Sequence, residues 1–528
     1  MHLRPYQEQS VSDLWSWFEA GNAGNPLVVA PVGSGKSVLM AAFIQRAIEA
    51  HPETRILVCT HARELVSQDH AKLLSVWPEA PAGIFSAGLG KREINAQILF
   101  ASIQSIWKKA EKVQRVHLLV VDEAHTISRN EKTMWGHFLR QLREINLDLR
   151  IIGYTGTPWR QSEGSLTEGD DAIFHDVASD ISMLDLLEAG YLAPLVPRKA
   201  AVQIDLSGVH TRAGEYQADE LEEAADMVTS EAVADMVEHG RDRRSWLVFC
   251  SGVKHAFHVR DELRKHGIAA ETVTGETPGA ERDQILKDLQ AGKIRAVTNA
   301  NCLTTGVDVP AIDLLGMLRP TKSSSLLIQM AGRGTRLSPD TGKADCLFLD
   351  YSSLLKTHGV IDQIKPPRRK GPKGEGDAPS KACPACETKC LAASRVCPVC
   401  GHEFPAHTPK IETFAASDAV LSNQIKPIWS EVQGVSYSKH KGRGGKPDCL
   451  LVTYQIGLME WVSEYINPWR DDVAGDIGRK WWAKRAPGQP IPATLDDALR
   501  LAPALPNPAQ IATKVNGKYV NVVSHRFA

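Results

Sequence analysis

Residues 27–37 read LVVAPVGSGKS. The opening apolar residues, two of them valines, predict a short buried strand. Glycines at 33 and 35 let the backbone turn so that its N–H groups converge on an anion with no Cβ in the way. SVLMAAFIQRAI, from Ser37 onward, predicts a helix opening directly after the turn. Strand, glycine turn and helix in this order make a phosphate cradle. Gly33, Ser34 and Gly35 supply backbone donors, Lys36 reaches the outer phosphates, and the Ser37 hydroxyl can ligate magnesium. Ala30 stands where the general pattern has its first glycine.

The matching half lies at VVDEAH, residues 120–125, where an apolar run ends in two carboxylates. Asp122 suits a magnesium ligand, and Glu123 is placed to polarise an attacking water. The two halves together predict an ATP and Mg²⁺ site that hydrolyses its nucleotide. ILVCT (56–60), ILFAS (98–102), HLLVVD (117–122) and IIGYT (151–155) alternate with amphipathic stretches, and the alternation resumes with WLVFC (246–250), RAVTN (295–299) and LFLDY (347–351). Such runs read as buried parallel strands in two consecutive α/β units. Residues 196–230 join them, with an acidic helix expected near Ala218–Asp226.

After Tyr351 the pattern breaks. KPPRRKGPKGEGDA (365–378) reads as a solvated basic linker in which Lys365, Arg368, Arg369, Lys370 and Lys373 could neutralise phosphates. CPAC (383–386) and CPVCGHEF (397–404) are paired C-x-x-C knuckles. Four thiolates at this spacing suit tetrahedral Zn²⁺ and leave no open position for chemistry, so a structural zinc on Cys383, Cys386, Cys397 and Cys400 is expected. Cys390 and His402 are substitutes. The other five cysteines are scattered and read as reduced core thiols. Beyond the knuckles, VSYSKHKGRGGKPDCLLVTYQIG (435–457) predicts a hairpin with a basic, glycine-rich loop. Trp481 and Trp482 lie beside Lys484 and Arg485, and packing is favoured over base stacking for them. Asp448 lacks a following E-x-K, which argues against a nuclease of the restriction type.

At 528 residues the chain needs more than one domain. With 43% hydrophobic and 23% charged residues it has an ordinary globular balance. No apolar run approaches the ~20 residues of a membrane helix, and MHLRPYQEQS lacks a signal-peptide core. A cytoplasmic protein with no membrane partner is expected. The net charge of −1 is silent on nucleic acid, since a local groove can be basic while the rest compensates.

DEAH with TGTP (155–158) downstream resembles the superfamily 2 helicases. LRPYQ (3–7), THARELV (60–66), ASIQS (101–105), FCSGVKHA (249–256), VTGETP (273–278), LTTGVDVP (303–310) and QMAGRGTR (329–336) follow in the family's order. The resemblance implies two RecA-like lobes that sandwich ATP. It places Arg4, Gln7, Gly306 and Asp308 at the nucleotide, and Arg333 and Arg336 at the γ-phosphate. It places Thr60, Arg63, Gln104, Ser251, Thr274, Gly275 and Thr304 on a nucleic-acid strand.

LRPYQ, FSAGLGKRE (85–93), TGETPGAERD (274–283), GRGTRLSP (332–339) and the trailing knuckles are similar, more narrowly, to the RadD-like bacterial DNA repair ATPases, a layout that phage-encoded helicases share. That likeness implies a DNA-stimulated ATPase of repair or recombination acting on single-stranded or branched DNA near the nucleoid. Single-stranded-DNA-binding protein and RecA recombinase are the partners it implies. An RNA helicase, or the translocating subunit of a restriction system, are the alternatives. The expected architecture is α/β: RecA-like lobes at 1–195 and 196–355, a basic linker at 356–380, a zinc ribbon at 381–405, and a small α+β domain at 411–528.

Overall fold

A computed structural model of the chain describes residues 3–160, 163–212, 214–304, 308–364, 380–382, 389–391, 419–442, 447–457, 460–470, 473–516 and 519–527. Its first lobe is built on an eight-stranded sheet among these residues. From one edge the order is Asp176–Asp180, Pro26–Val29, Arg150–Thr155, Leu118–Asp122, Ile56–Thr60, Ile98–Ser102, Ala82–Ser86 and Lys91–Arg92. Neighbours run parallel, with Leu27 opposite Gly153 and Val58 opposite Val120; only Lys91–Arg92 is antiparallel. Helices such as Lys36–Ala50, Arg63–Val76 and Met134–Ile145 make the crossovers. The strands Pro26–Val29, Ile56–Thr60 and Leu118–Asp122 are buried at every residue. That is why their sequences are continuous apolar runs rather than alternating ones. Asp176–Asp180, sequence DVASD, carries no such signal because it is a largely exposed edge strand.

The second lobe orders its strands Cys346–Asp350, Leu314–Leu318, Trp246–Cys250, Ala296–Asn299 and Ala270–Val273, all parallel. Trp246, Val248, Leu314 and Leu349 meet in its core. The acidic helix spans Ala218–Asp226. Both lobes belong to one compact unit, and a second unit gathers Leu195–Lys199, Ser352–Ile364 and Ala416–Ala528.

Among the described residues of that second unit are two three-stranded antiparallel sheets. One comprises Ile428–Glu431, Gln510–Asn516 and Tyr519–Arg526; the other comprises Gly434–His440, Cys449–Gly457 and Glu460–Ile466. In the second sheet Leu450, Val452 and Tyr454 alternate inward onto Trp481, Trp482 and Ala498, which come from the helices Val473–Arg485 and Leu495–Leu501. Trp481 and Trp482 are both buried, so they pack.

Ser380–Ala382 pairs antiparallel with Lys389–Leu391. Cys383, Cys386, Cys397, Cys400 and the basic run 365–373 lie outside the described residues, as does His402. Among the described residues no group of three or more His, Cys, Asp or Glu side chains could hold a metal ion. Cys59, Cys250, Cys302, Cys346 and Cys449 are free thiols. No helix among the described residues is long and apolar enough to cross a membrane.

Candidate nucleotide site between the two lobes

Four adjacent strands of the first sheet deliver the site at their C-terminal ends, where open parallel sheets bind ligands. Pro26–Val29 leads into the glycine turn, Arg150–Thr155 ends at Thr155, Leu118–Asp122 at Asp122, and Ile56–Thr60 at Thr60. Gly33 and Gly35 have φ of +89° and +82°, a region that side-chain-bearing residues seldom adopt. The N-terminal helix Pro5–Glu19 straps this turn from outside. The Gln7 amide donates to the Ser34 carbonyl at 3.2 Å and accepts from the Arg4 N–H at 3.0 Å, while the Tyr6 hydroxyl donates to the same Ser34 carbonyl at 2.7 Å. The Arg4 guanidinium lies 5.0 Å from the centre of the Tyr191 ring.

Lys36 pairs with Glu123 and lies 3.5 Å from Asp122. Burial works against the Lys36 charge, but the Asp122 and Glu123 carboxylates outweigh it and raise the pKa of the ammonium. Burial likewise opposes ionisation of Glu123, yet the Lys36 charge holds it down at about 2. Asp122 is raised by burial despite the same lysine. Glu123 adopts φ +52°, a left-handed backbone that costs about 1–2 kcal/mol for a residue with a Cβ.

Asp69 is a site residue that the motif reading missed. The Ser37 hydroxyl donates to its carboxylate at 2.7 Å. Burial, with the nearby Asp122 charge, lifts the Asp69 pKa well above the usual carboxylate range. One oxygen of Asp69 and one of Asp122 are buried without a hydrogen-bond partner. Unmatched carboxylate oxygens beside a serine hydroxyl are the hard oxygen donors that magnesium takes, so the residues present fit that ion. The sequence did hold a signal: Val66, Asp69 and Leu73 are the buried positions of the Arg63–Val76 helix, placing a charge on an apolar stripe.

The second lobe closes on the turn. A Cβ on Gly332 would lie 2.4 Å from the Val32 side chain, and one on Gly33 would lie 3.2 Å from Thr335 Oγ1 and 3.8 Å from Arg336 Cγ. Only glycine permits the approach at Gly332, and at Gly33 a Cβ would also meet Leu192 at 2.8 Å. His125 bridges the lobes, its Nδ1 lying 2.9 Å from Thr155 Oγ1 and its Nε2 3.2 Å from Gln329 Nε2. The Gln329 amide nitrogen can only donate, so His125 Nε2 accepts and Nδ1 carries the proton. Burial lowers the His125 pKa to about 4, so the ring is neutral near pH 7. Arg333 donates from Nε and Nη2 to the Thr304 carbonyl at 3.1 and 2.8 Å. Burial and Arg336 lower its pKa to about 9 against the pull of Glu123. Arg336 holds Asp308 at 2.7 Å. A further ion pair across the lobes joins Arg282 and Glu64 at 3.2 Å.

Of the positions expected on nucleic acid, Arg63, Gln104 and Gly275 are exposed, whereas Thr60, Ser251, Thr274 and Thr304 are buried. The Ser251 hydroxyl donates to the Leu318 carbonyl at 2.9 Å. Gln104 donates to the His61 carbonyl at 2.7 Å. Gly306 lies outside the described residues.

Fold and site thus define a two-lobed P-loop protein whose nucleotide cleft takes residues from both lobes. The model for the type III restriction enzyme res subunit matches residues 1–160, and that for the helicase conserved C-terminal domain matches 229–338. The chain is 30% identical over 369 residues to a protein of Schizosaccharomyces pombe named as the mitochondrial ATP-dependent helicase irc3, covering 67% of this chain and 58% of that one. It is 24% identical over 466 residues to a 51.5 kDa protein of a Lactococcus phage, covering 84% and 94%. A fragment structure named as an HsdR subunit of a type I restriction enzyme from Vibrio vulnificus shares the fold, with TM-score 0.51, 23% identity, and coverage of 66% of this chain and 64% of that one. The chain is a member of helicase superfamily 2. It spans less than two thirds of the length of its yeast relative.

Proposed function

We propose that this chain is a DNA-stimulated ATPase that couples closure of its lobes to translocation on, or remodelling of, single-stranded or branched DNA, as RadD-like repair proteins do. One observation carries the reading: Arg336 and Thr335 of the second lobe lie against Gly33 of the phosphate loop. Lys36 exchanges its two carboxylate partners for phosphate oxygens. Ser37 and Asp122 hold magnesium, with Asp69 orienting the Ser37 hydroxyl; the ion, when bound, neutralises charge on the phosphates. Glu123, ionised across the physiological range, orients the attacking water. Arg333 and Arg336 stabilise the charge that spreads over the transferred phosphoryl oxygens, worth about 10³–10⁵ in rate. Hydrolysis requires both lobes at once, so each turnover reports a closure.

Arg63, Gln104 and Gly275 supply exposed contacts to the DNA backbone. Single-stranded-DNA-binding protein and RecA recombinase are the partners of this reading. The spacing of the paired knuckles, which lie outside the described residues, suits a structural zinc, and metal analysis of the purified chain should return about one zinc per molecule. A second reading, the translocating subunit of a restriction system, is favoured by the fold shared with the HsdR fragment.

The test is steady-state ATP turnover by the full chain alone and with single-stranded, duplex and forked DNA, with matched RNA alongside. Single-stranded or forked DNA should raise turnover most, and Lys36→Ala should lower it by about 10² or more. Preferential stimulation by RNA refutes the DNA assignment. Preferential stimulation by long duplex favours the restriction-type reading.

A further inference from the structure

The sheet formed by Gly434–His440, Cys449–Gly457 and Glu460–Ile466 has two unlike faces. One is sealed by the helices that carry Trp481, Trp482 and Ala498. The other is open, and there Trp461 is 56% exposed and Tyr465 58% exposed. Large rings left in water on an ordered strand, in a unit that buries two neighbouring tryptophans, call for a partner.

We infer that this open face is a second binding surface, for single-stranded nucleic acid, on which Trp461 and Tyr465 each stack a base. Four residues of strand separate the rings by about 13 Å, several times the ~3.4 Å stacking repeat of bases. Each ring therefore takes its own base. His440 meets the Tyr465 ring edge-on with centroids 5.0 Å apart, which fixes the platform. Cross-strand register places Gln455 opposite Trp461 and Leu451 opposite Tyr465, with Thr453 and Ser463 between them, their hydroxyls 3.1 Å apart. Amide and hydroxyl groups between aromatic rings suit base edges and sugars better than an aliphatic protein patch.

Charge does not oppose this occupant. From Trp461 to Tyr465 the outward positions hold no carboxylate, and the exposed Glu460 lies at the end of the strand opposite Gly457. Glu464 points inward and accepts from Tyr454 at 2.6 Å, and Asp448, beyond the strand end, is neutralised by Lys439 at 2.8 Å. Lys441 is exposed where the platform ends at His440. A strand that crosses the rings thus meets one exposed cation, Lys441, at one end of the platform and one exposed carboxylate, Glu460, at the other, with no charge between them.

The surface needs no nucleotide, so it stands apart from the motor reading. The experiment is equilibrium binding of fluorescein-labelled oligothymidylate to the full chain without ATP, followed by anisotropy. Trp461→Ala and Tyr465→Ala should each weaken binding about tenfold, and Trp461→Phe should restore most of it. ATP turnover without nucleic acid should be unchanged in all three. Lys36→Ala should abolish turnover yet keep ring-dependent binding, which separates failure of this surface from failure of the motor. Photo-crosslinking of a bromodeoxyuridine oligomer should label the 460–466 peptide. Unaltered affinity in both alanine variants overturns the proposal. So does a change of oligomeric state in them without loss of oligonucleotide binding, because the face would then be covered by protein.

Discussion

Around Lys36 the molecule collects an ammonium, three carboxylates and a neutral imidazole, and leaves one buried oxygen each of Asp69 and Asp122 without a hydrogen bond, the Asp122 oxygen meeting Lys36 only at 3.5 Å. Around Glu464 it also buries charge, but one oxygen accepts from Tyr454 at 2.6 Å, His525 at 2.9 Å and Trp481 at 3.1 Å. Arg485 sits 4.0 Å from that carboxylate and 4.0 Å from the centre of the Trp481 ring, and donates to the Tyr454 hydroxyl at 2.5 Å. Burial would raise the Glu464 pKa, yet these donors outweigh it and lower it. Desolvating a carboxylate costs several kcal/mol unless hydrogen bonds offset it. The Glu464 cluster satisfies its carboxylate internally, leaving only donors, Arg485 Nη1 and the Tyr437 hydroxyl, without hydrogen-bond partners. The Lys36 cluster leaves part of the carboxylate cost outstanding, which is the mark of groups that await a ligand.

The contrast can be broken first at the arginines. Arg333→Ala should lower ATP turnover by about 10³–10⁵ while the C-terminal unit melts unchanged by calorimetry. Glu464→Ala should do the reverse. It strands the buried Arg485 and should destabilise the C-terminal unit by about 3–5 kcal/mol in chemical denaturation, with basal ATP turnover retained.

A third test uses pH. His255 is fully buried, accepts the Ser251 N–H at 3.2 Å, and has a second ring nitrogen without a partner. Burial, against a smaller pull from Asp226, lowers its pKa from 6.5 to about 4. As pH falls, the unfolded chain takes up this proton first. The contribution to stability is complete above pH 6.5 and declines as pH falls toward 4, by on the order of 3 kcal/mol. His255→Gln should flatten the denaturation midpoint across that window; an unchanged slope would reject the assignment.

The gentlest test is Asp69→Asn. It keeps a partner for the Ser37 hydroxyl but replaces one acidic oxygen beside the magnesium ligands with an amide. The magnesium needed for half-maximal binding of a fluorescent ADP should rise about 10- to 100-fold. No change would make Asp69 merely structural.

Much of this was legible in the chain. The central strands declared themselves because they are buried on both faces and so are uniformly apolar, and the phosphate turn declared itself because Gly33 and Gly35 sit where no Cβ fits. Edge strands such as Asp176–Asp180 were silent, since half their surface meets water and imposes no pattern. Asp69 was hidden because a lone acid in an amphipathic helix reads as surface until the flanking Val66 and Leu73 are seen to be buried with it. The tryptophans teach the same point. Trp481 and Trp482 drew attention by adjacency to cations, yet they are core, while Trp461 stands exposed at a position with no sequence signal beyond strand alternation.

The central claim is that the second lobe completes the site held by Lys36. It is tested most directly by DNA-stimulated ATP turnover of Arg336→Ala alongside its affinity for nucleotide. Turnover should fall by about 10³ or more while nucleotide binding stays within a few-fold of the parent. Turnover at the parental rate would contradict the account.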